Sequence, residues 1–265
     1  MVLVVATTVW WTWTVLDVAA TSSVKLPQIS DRAFIDECVT EHNKARTSVS
    51  PPASNMLYMT WDEGLAVTAR AWAKHCTFEH NIYLDDARRM HPTFSSVGEN
   101  IWTGHPPSEF VLKNAIKHWV DEKMFYNYSE NSCSNMCGHY TQVVWDQTYK
   151  VGCAVELCPN GVRQFDHRPS VLFVCNYSPG GNLNGRRPYE SRGAPCSECE
   201  DSCENKLCRN KERDTERRYT WRPDWDPSPE TRYLDILVVR PVALICTFLA
   251  AYAAHYFYPN AFCYE

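Results

Sequence analysis

Thirteen cysteines in a 265-residue chain constrain the fold more than any other feature of this sequence. So many thiols in a non-repetitive chain point to an oxidising compartment and to disulfide cross-links, unless they bind metal. The N-terminus agrees. MVLVVATTVWWTWTVLDVAA is apolar for most of its length, lacks a basic residue, and ends in Val18, Ala19 and Ala20, small residues of the kind a signal peptidase reads. Residues 1–20 therefore read as a signal peptide, and the remainder enters the secretory pathway. A net charge of −5 gives no support to a nucleic-acid surface.

Near the other end the cysteines crowd together. CSECEDSCENKLC, residues 196–208, holds four of them and too few apolar residues for a core, so cross-links must hold it. A CxxC beside another cysteine pair also suits a zinc knuckle or a redox site, but a secreted chain favours structural disulfides. Residues 194–210 read as a four-cysteine hinge. Residues 211–232 are charged, contain Pro223, Pro227 and Pro229, and read as a stalk. PVALICTFLAAYAAHYFYP then supplies about 18 apolar residues, long enough for a single membrane span over 233–258, with a short tail at 259–265. The positive-inside rule is unsatisfied, because RNKERDTERRYTWR on the outer flank is basic and PNAFCYE on the inner is not. A glycolipid-anchor signal fits less well, since no small-residue triplet and polar spacer stand in the right place. The expected location is extracellular, anchored in the plasma membrane by that span or otherwise secreted.

Between these ends, helical spacing comes first. Ser30 and Asp31 can cap a helix to about Arg46, with Phe34, Ile35, Cys38, Val39, His42 and Ala45 on one face. Asp62 can cap a second, with Leu65, Ala66, Ala69, Trp72, Ala73 and Cys76 inward, and Ser108 can open a third, with Val111, Leu112, Ala115, Ile116, Trp119 and Val120 inward. HPTFSSVGENIWTGHPP reads as loop with a short extended piece. Later, Tyr140–Trp145, Val151–Glu156 and Val171–Tyr177 are short β-branched and aromatic runs that read as strands. Helices first and strands later imply an α+β domain, an antiparallel sheet covered by helices, closing near NLNGRRPYE.

Four titratable residues could converge on one cleft: His80, Glu99, Glu122 and His139. Two imidazoles and two carboxylates suffice to bind a divalent transition metal, or to polarise one another. Their spacing matches no compact motif such as HExxH or GxSxG, and each alone is more often a hydrogen-bonded structural residue.

Several ordered blocks narrow the reading. GHYTQVVWDQT (138–148) and LFVCNYSPGGNL (172–183) resemble the two signatures of the CAP superfamily, which groups cysteine-rich secretory proteins, antigen 5 and pathogenesis-related proteins. VGENIW (97–102), NMLYMTWDEGLAVTARAWA (55–73) and FIDECVTEHNKAR (34–46) are similar to its other blocks, so the match runs from about Phe34 to Asn182. Within the superfamily the chain most resembles the glioma pathogenesis-related branch. The resemblance implies a three-layer α-β-α sandwich over 28–188, with His80, Glu99, Glu122 and His139 lining a cleft. It further implies zinc, weakly held by His80 and His139, and no organic cofactor.

The resemblance also implies the pairs Cys76–Cys158, Cys133–Cys137, Cys153–Cys175, Cys196–Cys203 and Cys199–Cys208. Setting aside Cys246 in the apolar segment and Cys263 beyond it leaves eleven cysteines, an odd number, with Cys38 over. A thiol on an apolar helix face is expected to be buried and inert. Asn127 heads a glycosylation sequon in a polar stretch and is expected to carry a glycan, whereas the sequon at Asn176 lies inside a strand and is expected bare. For function, the resemblance favours a non-enzymatic protein that binds an extracellular protein or lipid around the cleft. The alternatives are a zinc-dependent hydrolase built on the same residues and a purely structural cluster.

Overall fold

The computed structural model describes residues 24–226 and 235–257. The expected signal peptide at 1–20 and the tail at 259–265 lie outside the described residues, as does the segment 227–234.

In chain order the elements are α1 (Arg32–Thr47), β1 (Thr60–Trp61), α2 (Glu63–Ala73), α3 (Ala87–Met90), β2 (Gly98–Gly104), α4 (Leu112–Asp121), β3 (Tyr126–Asn127), β4 (Ser132–Cys133), α5 (Gly138–Val143), β5 (Lys150–Cys158), β6 (Ser170–Ser178), β7 (Ser202–Glu204), β8 (Leu207–Arg209) and α6 (Arg240–Phe257). The first two helices follow the sequence pattern. Asp62 caps α2, its carboxylate accepting from the Leu65 N–H at 3.0 Å. Asp31 precedes α1 but turns back to accept from the Gln28 N–H at 2.8 Å, so it does not cap the helix.

Two expectations fail locally. α4 begins at Leu112, and Ser108 belongs to a separate 3-10 turn, Pro107–Glu109. Phe110 and Val111 are extended, because the Phe110 ring packs on Phe173 and Trp102 and draws the chain out of helical register. Val111 is consequently exposed, while Leu112, Ala115, Ile116 and Trp119 stay buried. The second failure is at Tyr140–Trp145. That run contributes to helix α5 and the turn after it, with Tyr140 and Val143 buried one helical turn apart.

Four strands form the central sheet in the order β1-β5-β6-β2. β5, β6 and β2 are antiparallel, with Cys153 opposite Cys175 and Glu99 opposite Asn176, but β1 pairs parallel to β5, so the sheet is mixed. Helices cover both faces. The side chain of Asn176 packs under α2 against Leu65, whereas its neighbour Tyr177 reaches His42 of α1 on the opposite face at 2.9 Å. α2 lies so close to β5 that a Cβ at Gly152 would meet the Ala66 nitrogen at 2.2 Å, which admits only glycine. With α1, α4 and α5 on the other side, this is the α-β-α sandwich expected.

Arg46 is an internal strut. Fully buried, it donates to the carbonyls of Leu57, Val143, Trp145 and Thr148 at 2.7–3.1 Å and ties α1 to the loop after α5. All five implied disulfides form, including both hinge pairs, so the CxxC thiols are not free to bind metal. Cys38 is free and buried, and burial pushes its thiol well above the usual range.

The hinge and stalk are more closely attached than their composition suggests. Leu207 and Cys208 are buried, and Cys208 exchanges backbone hydrogen bonds with Met56 and Tyr58 at 2.8 and 2.9 Å. Residues 211–226, expected to be a linker, fold back along the domain. Tyr219 donates to Asp62 at 3.0 Å, Trp225 stacks on Tyr83, and Asp226 pairs with Lys74 at 3.0 Å. Charges that read as solvated in sequence are matched by opposite charges on the domain. Beyond residue 234, Leu237–Ala254 has a mean hydropathy of 1.9 and none of it is buried, so it is long and apolar enough to cross a membrane.

Candidate functional site

Each histidine of the expected tetrad has its own glutamate. Glu122 follows the C-terminus of α4, and its Oε2 accepts from the backbone N–H groups of His139 and Tyr140 at 3.0 and 3.2 Å. These are first-turn donors of α5, left without partners inside the helix, so the carboxylate acts as a cap supplied from a distance. Its other oxygen accepts from His139 Nδ1 at 2.5 Å. The His139 ring stacks on Trp119 with centroids 6.2 Å apart. His139 therefore stands in a helix fixed by Glu122, and not at the head of a strand braced by the sheet.

Glu99 organises the second pair from β2. Its side chain is fully buried, and Oε1 accepts from His80 Nδ1 at 3.1 Å and from the Asn81 N–H at 2.9 Å. Oε2 lies 3.2 Å from the amide nitrogen of Asn176, in the orientation that satisfies both ends of that amide. Burial pushes the Glu99 carboxyl above its ordinary value, opposed by these bonds. His80 is shifted upward too, chiefly by its hydrogen bond to Glu99. Its ring is more than half exposed, while that of His139 is mostly covered.

The two pairs flank β2, the edge strand of the sheet. Glu99 faces the α2 side; Asn100, the next residue, faces the other side and donates to the His139 carbonyl at 3.1 Å. In both histidines Nδ1 is committed to carboxylate, and neither Nε2 has a protein hydrogen-bond partner among the described residues. A buried donor, Asn81 Nδ2, is likewise unpartnered beside the Glu99 pair. A carboxylate holding Nδ1–H and leaving Nε2 outward is the support that metal-bound imidazoles use. The fit has a limit. Among the described residues the two groups of three or more donors close enough to share an ion are His42 with Cys153 and Cys175, and Cys196 with Cys199 and Cys208. Their cysteines are in disulfides, and none of the four cleft residues belongs to either group.

Two further buried histidine networks were not visible as sites in the sequence. His42 bonds the Cys38 carbonyl and the Tyr177 hydroxyl, and burial pulls its pKa down to about 4, so it is a neutral core residue. His91 bonds Asp62 at 3.0 Å through Nε2, and its Nδ1 accepts from the N–H groups of Thr93 and Phe94. Both ring nitrogens of each are used, which removes them as ligands. The regular apolar spacing around His42 was the only signal of its role.

Comparison with known proteins extends this picture. Residues 39–177 match the cysteine-rich secretory protein family, CAP. GLIPR1-like protein 1 of Bos taurus is 50% identical over 243 residues, 91% of this chain and 96% of its own. Glioma pathogenesis-related protein 1 of Mus musculus is 43% identical over 265 residues, covering 98% of both chains. Among solved structures, NaASP2 crystallised with Zn2+ superimposes with a TM-score of 0.54 at 29% identity, covering 68% of this chain and 96% of that one.

Proposed function

The chain belongs to the cysteine-rich secretory protein family, and on that premise we propose that it acts by binding and not by catalysis. It presents an extracellular CAP domain, held at the membrane by α6, to a protein or lipid ligand. The observation that carries this reading is the commitment of both glutamates. Glu122 and Glu99 each accept three hydrogen bonds, including an imidazole and a backbone N–H in both cases. A general base must be free to take a proton from water, and these carboxylates are spent on holding imidazoles and backbone. The Nε2 atoms of His80 and His139, without a protein hydrogen-bond partner among the described residues, are available to a metal ion. Two imidazoles are fewer than the three firm protein ligands of a catalytic zinc site, so zinc would be weakly held, with water or a partner completing its shell.

A groove between α1 and α4 supports the lipid side of the proposal. It encloses about 260 Å³, with Ala45, Ile116 and Val120 as its apolar floor. Of the four lysines around it, Lys44 and Lys117 pair with Glu41 and Asp121 of the same rim, which leaves Lys113 and Lys123 without a salt bridge among the described residues. An apolar floor beside two unpaired ammonium groups suits a fatty-acid-like anion.

Zinc titration of the full-length chain in detergent tests the metal reading. Wild-type protein is expected to take up one ion, and a His80→Ala/His139→Ala variant none; equal uptake by both would refute it. Peptide and ester hydrolysis assayed against Glu99→Gln/Glu122→Gln tests the alternative. A zinc-dependent rate present in wild type and lost in the variant would replace binding with hydrolysis.

A further inference from the structure

The segment after the hinge does more than lead away from the domain, and its contacts converge on the loop that bears His80. Trp225 stacks on Tyr83 with centroids 5.3 Å apart and an interplanar angle of 26°. The Arg89 guanidinium also lies over the ring of that tyrosine, 3.8 Å from its centroid. Trp225 Nε1 donates to the Arg89 carbonyl at 3.0 Å, and Asp224 accepts from Arg89 Nε at 3.0 Å. Tyr83 is thereby pinned, and its own N–H donates to Asn81 Oδ1 at 3.0 Å. The Asn81 N–H in turn donates to the Glu99 oxygen that His80 bonds.

We infer that Trp225 is a positioning residue for His80, acting through Tyr83 and Asn81, so that the chain next to the membrane segment sets the geometry of the cleft. The inference rests on the reading that His80 holds a ligand. Within its own stretch the 80–90 loop is short of regular structure, with only the single turn of α3, so its order depends on such external contacts. Near its start Trp72 fixes the Glu79 carbonyl at 2.8 Å, and Trp225 supplies the matching hold further along. Residues 227–239 separate this clamp from α6.

The test compares full-length wild type with Trp225→Ala and Trp225→Phe in detergent, by hydrogen exchange and by zinc competition against a chelating dye. Losing a half-buried stack and a hydrogen bond should speed exchange at the Leu84, Asp86 and Arg89 amides at least about tenfold. β5 and β6 amides should be unchanged, and zinc affinity should fall about tenfold, with Phe restoring most of both because it keeps the stack. Unchanged exchange over 80–90, or an equal increase throughout the sheet, would overturn the clamp. Faster loop exchange with unaltered zinc affinity would overturn its positioning role. If wild type takes up no zinc, the metal reading fails, and Trp225→Ala is then scored on the orientation of His80. His80 ring proton shifts left unchanged by NMR in that variant overturn the positioning, and a change at His80 with none at His139 upholds it.

Discussion

Replacing Glu122 by glutamine tests whether one carboxylate joins α4 to α5 and so fixes His139. The side chain is largely buried and accepts from His139 Nδ1 at 2.5 Å and from two backbone N–H groups at 3.0 and 3.2 Å. Glutamine keeps one acceptor oxygen, so it can serve either the backbone donors or the imidazole but not both. The lost bond is charge-assisted, worth roughly 1.5–3 kcal/mol, and the weakened cap adds about 1 kcal/mol at most. A total near 2–3 kcal/mol lowers the melting temperature by roughly 4–12 °C in a domain of this size. The assay is thermal unfolding of full-length protein at a fixed scan rate, with Glu109→Gln on the exposed surface as control. The control should stay within about 0.5 kcal/mol of wild type. If Glu122→Gln shifts no more than that control, the cap does not hold α5 and the account of His139 fails.

Three further outcomes follow from the same physics. His80 has a raised folded-state pKa, so its contribution is fully present below about pH 6.5 and is lost as pH rises through the folded value. Glu99, also raised, contributes with the same sign from about pH 4.5 upward. Because the His80 ring is over half exposed, its share should be less than about 1 kcal/mol. Because buried His42 contributes with the opposite sign over the same range, that share is read as the difference in urea midpoint between wild type and His80→Asn, which should shrink from pH 6 to 8.5; a difference that grows with pH contradicts the pair. Arg46→Lys loses the guanidinium fork that spans four carbonyls and should cost at least about 3 kcal/mol, seen as failure to accumulate in the secretory pathway. Asn127 is exposed and Asn176 is fully buried, so Asn127→Gln should abolish the glycosidase-sensitive gel shift and Asn176→Gln should leave it intact.

Where sequence reasoning succeeded, the information was local. The inward faces of α1 and α2 and the runs that became β5 and β6 are periodic or β-branched, and their neighbours reinforce the pattern. The disulfides came from resemblance to a family, since spacing alone left their pairing open. Where it failed, the deciding partner was remote. The run Tyr140–Trp145 looks like a strand until Glu122, seventeen residues before His139, satisfies the first donors of a helix. Arg46 reads only as the end of α1, and only the fold brings carbonyls from about a hundred residues away to its fork. Residues 211–226 read as a stalk because charge and proline suggest solvation, yet Lys74 and Arg89 donate to Asp226 and Asp224, and Asp62 accepts from Tyr219. The cleft residues could be named individually, but their division into two pairs across an edge strand needed coordinates.

Zinc X-ray absorption on the full-length chain, loaded with one equivalent, bears most directly on whether His80 and His139 share an ion. The predicted spectrum contains two imidazole nitrogens and oxygen neighbours at about 2.0–2.1 Å, with no sulfur near 2.3 Å. A sulfur shell, a coordination unchanged by His80→Ala/His139→Ala, or no bound zinc would contradict it.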